Sequence, residues 1–464
     1  MRPLSLLFAA LFAVACGSTA QVVTTPTPAP TGVQTPGPTT QLTAAPSPTA
    51  AGSTTPSPLG TPLPTPTDLG TPTPPASPVP PTPSSAPTDG PGNGPFGSFA
   101  KLDSFPANGA FEVTDVNVTP SGLIAVGFGG LNGGDYYGLR QGIVWTSADG
   151  SNWLESVDPG LINVTPIRVV SKGSDMYLAG TLATCSELDD NCTDVPQAGN
   201  GIWRSTNGGA WELLPQLPDM QGGYIDDMLL AGDKLIVYGG AGEGQETTVW
   251  VSQDGATWTS STDLSGMDPI TSMAVGPAGL SAFGNIYDDA LLDVVLLATT
   301  STDGSSFTPA TTLDMTGSGI DDLAAGPNGM AGVGYHTSEL FDIDGVAVRS
   351  TDGLTWTQAT NSDGSFAGSA PQTVHALVSG GYVAIGYTPR TDDSFLNDGT
   401  AWFSADGTDW ALIARLDGGF SALSMSAMGP GGVVVFAAEQ TELPNDGAGS
   451  VIHAWFAPLA SIHG

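Results

Sequence analysis

Along the C-terminal four-fifths of the chain, hydrophobic and polar positions follow one short cycle that returns seven times. Val113 to Gly127 (VTDVNVTPSGLIAVG) intersperses apolar and polar residues up to a Pro-Ser turn, then runs apolar into a glycine, as two strands joined by a tight turn do. This segment aligns without gaps with Pro166 to Gly180, Ile225 to Gly239, Ile270 to Gly284, Ile320 to Gly334 and Leu423 to Ala437. Thr373 to Gly386 fits with one residue fewer. A second element follows six of the seven hairpins: a short strand such as Gly142-Ile143-Val144-Trp145, then Ser-x-Asp-Gly-x-x-aromatic. Its serines are Ser147, Ser205, Ser252, Ser301, Ser350 and Ser404, at intervals of 58, 47, 49, 49 and 54 residues. At the turn stand Asp149, Asn207, Asp254, Asp303, Asp352 and Asp406. Asp-Gly suits a tight hairpin that needs positive φ, the aspartate can accept hydrogen bonds from the turn's backbone, and the aromatic packs into the sheet. No helical period of useful length appears.

Seven hairpins against six turns leave one outer strand to find, and the ends of the repeat region supply it. His453 to Ala457 matches Thr400 to Ser404 as a third strand, whereas Gly97 to Leu102 resembles Ser305 to Ala310, a fourth strand without its predecessor. The N-terminal strand therefore completes the last blade. Residues 96–464 divided by seven give about 53 residues per blade, enough for four short strands.

The six-fold element resembles the Asp-box, or BNR, repeat of sialidase-like β-propellers. The expectation is an all-β, seven-bladed β-propeller with Asp-box turns, closed by an N-terminal strand, in which Trp145, Trp203, Trp250 and Trp402 on third strands fill the inter-blade core. The resemblance speaks to fold more than to activity. Sialidases clamp the substrate carboxylate with three arginines, one in a Phe/Tyr-Arg-Ile-Pro motif, and use a Tyr-Glu nucleophile pair. That motif is absent here, and of the propeller's six arginines Arg204 and Arg349 precede turn serines while Arg415 follows a fourth strand. Seven-bladed photosystem-assembly factors share the fold but rely on a basic patch, which nine Lys and Arg do not supply.

Composition divides the chain. Of 39 prolines, 22 fall between Gly17 and Pro95, a segment with no aromatic residue and only Asp68 and Asp89 as charges. It cannot bury enough apolar surface to offset chain entropy and reads as a disordered Pro/Thr-rich stalk, up to roughly 200 Å long if extended. Ahead of it, Arg2 and the apolar stretch Leu4 to Ala15 read as a signal peptide of residues 1–15, too short to span a bilayer. Ala15-Cys16-Gly17 resembles the lipobox of bacterial lipoproteins, although Ala13 stands where that family usually has Leu. The resemblance implies lipidation of Cys16 and localisation on the outer side of a bacterial membrane; ordinary signal cleavage beside an incidental cysteine is the alternative. Residues 16–95 then form the lipidated stalk and 96–464 the propeller.

Residues 96–464 hold 43 acidic and nine basic side chains, a net charge of −34, which repels nucleic acid and anionic lipid. Membrane contact is expected only through the anchor, and the propeller is expected to be a monomer. The loops between second and third strands vary most and are acidic, including Asp189-Asp190, Asp288-Asp289, Asp342-Ile343-Asp344, Asp392-Asp393 and Asn397-Asp398. No cofactor is required by this pattern. Ca²⁺ at Asp342 and Asp344 is the candidate metal site, and turn formation is the competing explanation. Cys185 and Cys192 sit in the second blade's loop, where an exported protein forms a small disulfide in preference to a Zn site.

The aligned hairpins also give equivalent positions on the innermost strands. At the third position stand Asp115, Arg168, Asp227, Ser272, Asp322 and Met425, with His375 at or beside it in the shortened repeat. The preceding position carries Thr114, Ile167, Asp226, Thr271 and Asp321. Asp115, Arg168, Asp227, Asp322 and His375 are the candidate ligand-binding set at the channel mouth; a water-filled channel also tolerates such residues without a function. No catalytic residue is assigned, because Gly-x-Ser-x-Gly, Gly-Lys-Ser/Thr and His-Glu-x-x-His patterns are all missing. The pattern points to a non-enzymatic binding or scaffold module for a protein or carbohydrate ligand at the loop face. An atypical glycoside hydrolase and a purely structural envelope protein are the alternatives.

Overall fold

The computed structural model describes residues 95–107, 109–131, 139–182, 199–220, 223–242, 246–262, 264, 267, 269–288, 293–315, 317–337, 342–390, 396–443 and 447–460. The expected signal peptide and lipidation site Cys16, the expected stalk, and Cys185 and Cys192 lie outside them, as do most of the tips of the second-to-third-strand loops.

Seven four-stranded antiparallel sheets make a seven-bladed β-propeller, with no helix among the described residues. The inner strands are Ala110–Thr119, Val164–Lys172, Tyr224–Ala231, Ile270–Gly276, Ser318–Gly326, Ala370–Ala376 and Ala422–Gly429, numbered here as blades 1 to 7. In blade 7 the outermost strand is Ala100–Lys101, with Ala100 opposite Phe456 and Lys101 opposite Trp455. The N-terminal strand thus closes the ring, and no blade is left to bury an unpaired face.

Every inner strand carries a β-bulge at the same place. The register slips between Val113 and Asp115, Pro166 and Arg168, Ile225 and Asp227, Ile270 and Ser272, Ile320 and Asp322, Pro371 and Thr373, and Leu423 and Met425. A bulge sets two residues against one and re-aims their side chains. It also explains the glycine that ends six of the seven repeats, Ala437 ending the seventh. A Cβ on Gly127 would stand 2.0 Å from the Glu112 carbonyl oxygen, and one on Gly386 2.1 Å from that of Ala370, so the backbone itself fills the space.

The bulge corrects the alignment of blade 6. Its repeat begins at Pro371, which pairs with Gly386, and its turn is longer than the tight turns elsewhere because Leu377 closes onto Gly381. Thr373 therefore occupies the position equivalent to Asp115, and His375, paired with Val383, sits two residues further along the same strand, level with Asn117.

The cores lie between blades. Val113 and Trp145 of blade 1 pack with Val434 and Phe436 of blade 7, and Tyr177 of blade 2 packs with Val237 and Trp250 of blade 3. Trp145, Trp203, Trp250 and Trp402 are fully buried. Three of them also tether the link into their own blade: Trp145 Nε1 donates to the Pro106 carbonyl at 2.7 Å, Trp250 Nε1 to Pro218 at 2.9 Å and Trp402 Nε1 to Ser365 Oγ at 3.0 Å. Each such indole combines large apolar burial with one satisfied polar atom.

Five of the six Ser-x-Asp/Asn-Gly turns share one geometry. The serine hydroxyl accepts from the glycine N–H, at 2.8 Å for Gly150, Gly255, Gly304 and Gly353 and 2.9 Å for Gly407. Asp149 Oδ1 accepts from the Ser151 and Asn152 N–H groups at 2.8 and 2.9 Å, and Asp254 and Asp352 repeat the pattern. Asp303 and Asp406 accept from the Ser305 and Thr408 N–H groups at 3.0 and 2.8 Å. These bonds hold the Asp149 carboxyl far below its ordinary range, and those of Asp254 and Asp352 near 2. Positive φ falls on the glycine of each turn. The Asn207 turn departs from the shared form: Asn207 and Gly208 both have positive φ (53° and 73°), the Gly209 N–H donates to the Thr206 carbonyl, and the Ser205 hydroxyl turns to the Gly209 carbonyl. Asparagine tolerates the left-handed region, so this blade uses a two-residue hairpin turn in place of a side-chain cap.

Candidate functional site

The bulges deliver polar side chains to the central channel, where they surround a cavity of about 340 Å³. Asp115, Arg168, Asp227, Asp322 and His375 all line it, together with Asp321, Gln372, Thr373 and Ser426. Around the ring the lining comes from blades 1, 2, 3, 5, 6 and 7.

Blades 1 to 3 form a closed ionic clamp. Arg168 Nε meets Asp227 Oδ1 at 2.6 Å and its terminal nitrogen meets Asp115 Oδ1 at 3.0 Å. The other oxygen of Asp115 accepts from the Val169 N–H at 2.7 Å, so this carboxylate staples blade 1 to blade 2. Asp227 takes in addition its neighbour Met228 N–H at 2.6 Å and the Tyr238 hydroxyl at 3.2 Å. Burial pushes Asp115 up, against the pull of Arg168 and the Val169 N–H. Burial alone would favour loss of the Arg168 proton; the carboxylates of Asp227 and Asp115 more than reverse that and keep it firmly cationic. Removal from water, then the Asp227 charge, pushes the Tyr238 hydroxyl well above its ordinary range.

Among the described residues, blades 5 to 7 place no cation of their own against the channel carboxyls. Asp322 accepts from the Leu323 N–H and, across to blade 6, from the Val374 N–H, both at 2.8 Å, repeating the inter-blade staple of Asp115. Burial nonetheless raises its carboxyl to about 7, against the weaker pull of the Val374 N–H and the more distant Arg168. His375 Nε2 lies 2.7 Å from Ser426 Oγ, and burial lowers its imidazole to about 4, so it is neutral at pH 7 and cancels no carboxylate. The two bulge carboxylates, Asp321 and Asp226, make no hydrogen bond among the described residues. Burial, then the Asp322 charge, raises Asp321, which lines the cavity, to about 7; Asp226 is more open to solvent, and partial removal from water with the Asp227 charge raises it as well. Ser272 closes the blade 4 side by donating to the Ile320 carbonyl at 2.8 Å.

Sequence reasoning missed Tyr238 and the bulge carboxylates' isolation. A signal for Tyr238 existed: the residue before the repeat's final glycine is Val126, Ala179, Phe283, Val333 and Ile385 elsewhere, and only here does it carry a hydroxyl. The remaining arginines do not converge on the channel. Arg140 stacks 4.6 Å over the Phe128 ring, Arg349 pairs with Asp406 and Thr408 between outer strands, and Arg390 pairs with Asp398. Of the candidate Ca²⁺ pair, Asp344 is exposed and accepts from the Gly368 N–H at 2.8 Å, which ties blade 5 to the link into blade 6. Among the described residues no group of three or more His, Cys, Asp or Glu is placed to hold a metal ion.

No family model matches the chain, and no curated protein sequence matches it. Solved structures similar to it are propellers of enzymes. Trypanosoma rangeli sialidase is 14% identical with a TM-score of 0.38, over 75% of this chain and 54% of that one. Polysaccharide lyase Uly1 is 9% identical with a TM-score of 0.47, over 75% and 90%. The α-L-arabinofuranosidase Arb93A of Fusarium graminearum is 12% identical with a TM-score of 0.40, over 80% and 100%. The chain spans about half the length of the sialidases. The likeness is one of fold.

Proposed function

We propose that the propeller is a non-enzymatic recognition module that takes a protein or carbohydrate ligand at the loop face and channel mouth. The observation that carries this reading is the fate of Arg168. It is the channel's one arginine among the described residues, and the carboxylates of Asp115 and Asp227 already neutralise its charge, which weakens its grip on an acidic substrate or a developing negative charge. What the cavity offers instead is a set of carboxyls and hydroxyls suited to neutral, hydroxyl-bearing groups. In this reading Cys16 carries the lipid anchor and residues 17–95 hold the ring away from a bacterial membrane.

One observation favours a second reading. Asp321 and Asp322, each near 7, give the channel carboxyls that are protonated and ionised in comparable amounts at neutral pH, the condition for general acid work in an atypical glycoside hydrolase. Glycan and protein-partner screens of the full chain, with and without Ca²⁺, test the first reading. Turnover of a glycoside that disappears in Asp322→Asn would replace it with the second. For the anchor, Cys16→Ser is expected to release the protein into the medium; retention in the membrane fraction would refute lipidation.

A further inference from the structure

At the loop-face end of the channel, above the carboxylates, blades 4 to 6 bring together a group that the clamp does not use. The residue following the repeat's glycine on each second strand stands here, and in these blades it is Asn285, Tyr335 and Tyr387. Tyr335 is 38% exposed, whereas Tyr238 and Phe283 on other second strands are buried. Tyr387 packs part of its ring against the core between blades 6 and 7, and burial, then the nearby Tyr335 and Asp321, raise its phenol. Tyr335 in turn feels Asp321. Between these groups lies Gly319: a Cβ there would sit 4.0 Å from both Asn285 Nδ2 and Asp321 Oδ1, so its bare backbone leaves a gap flanked by an amide and a carboxyl.

The polar atoms of this gap lack partners. Asn285 Oδ1 is buried without a hydrogen bond, a costly state for a polar group. Asp321, and the hydroxyls of Tyr335 and Tyr387, make no hydrogen bond among the described residues. Two phenol rings beside an unsatisfied amide and carboxyl match one ligand chemistry: a ring with an apolar C–H face and hydroxyls that both donate and accept. The geometry points to a subsite for a neutral hexose ring at the mouth over blades 4 to 6, walled by Tyr335 and Tyr387 and read by Asp321 and Asn285. An acidic sugar is disfavoured by Asp321 and the nearby Asp322. This subsite rests on the recognition reading above and gives its ligand a class.

The test is titration of the full chain, and of its Tyr335→Ala, Tyr335→Phe and Asp321→Asn forms, with neutral oligosaccharides found by glycan array, followed by calorimetry and saturation-transfer NMR. The wild type is expected to bind a neutral glycan and not its uronic-acid counterpart. Tyr335→Ala should weaken binding about tenfold, the scale of one lost aromatic contact, while Tyr335→Phe keeps most of the affinity. Asp321→Asn should weaken binding with no loss of thermal stability. Glycan binding untouched by Tyr335→Ala and Asp321→Asn would overturn the subsite and leave the recognition reading standing. Absence of any neutral-glycan binding by the wild type overturns the subsite, and a protein ligand found instead would preserve the wider reading. Binding that needs a cationic sugar, and strengthens from pH 5.5 to 8.5 as Asp321 ionises, would also overturn it.

Discussion

Two arcs of the same ring solve the problem of buried carboxylates in opposite ways. In blades 1 to 3 Asp115 and Asp227 share the guanidinium of Arg168 at 3.0 and 2.6 Å, and each also accepts from a backbone N–H. In blades 5 and 6 Asp321 and Asp322 face a neutral imidazole and hydroxyls, so their carboxyls answer by holding protons to about 7. The first arc is a structural brace. The second keeps unsatisfied polar groups exposed to the cavity, which is the arrangement a binding site retains when stability alone would remove it.

The largest effect is expected from breaking the brace. Arg168→Leu strands one buried carboxylate, Asp115, and one partly buried, Asp227, and should cost about 3 kcal/mol, read as a lowered midpoint in denaturant unfolding. A drop of that size from Asp321→Asn and none from Arg168→Leu would reverse the contrast. Removing the staple between blades 5 and 6 is milder. Asp322→Ala leaves the Val374 and Leu323 N–H groups without their acceptor and should cost about 1 to 3 kcal/mol.

Asp321→Asn should act in the other direction, and only at higher pH. A carboxyl whose folded value is raised destabilises the fold where it must ionise: the cost is full above about pH 7 and vanishes as pH falls toward the ordinary aspartate value near 4. The variant is therefore expected to melt a few degrees higher than wild type at pH 8 and at the same temperature at pH 4.5. The turn aspartates have the opposite sign. Asp149, Asp254 and Asp352 have lowered values, so their contribution is present above pH 4 and is lost as pH falls toward 2. The smallest effect belongs to one of these exposed caps: Asp149→Ala should lower the melting temperature by about one to three degrees at pH 7 and by clearly less at pH 2.

Much of this architecture was legible because a repeat writes the same physics seven times. The apolar cycle gave the hairpins, the offset between seven hairpins and six turns gave the closing strand, and aligned columns placed Asp115, Arg168, Asp227 and Asp322 around one channel. The bulge was not legible, since a gapless alignment looks the same with or without it; its trace is the glycine at Gly127 and Gly386 that the bulged backbone requires. Blade 6 misled for a related reason. A turn one residue longer slid the alignment and promoted His375 over Thr373. The division into a braced and an unbraced arc was also hidden, because whether Arg168 reaches both neighbours, and whether His375 is charged, depend on distance and burial and not on which residues are present.

The contrast is tested most directly by following the channel carboxyl carbons through a pH titration by NMR, with assignments confirmed in Asp321→Asn and Asp322→Asn. The account predicts that Asp321 and Asp322 titrate near 7, far above the exposed aspartates of the chain. Midpoints near 4 for both residues would mean that the second arc is as well compensated as the first, and would contradict it.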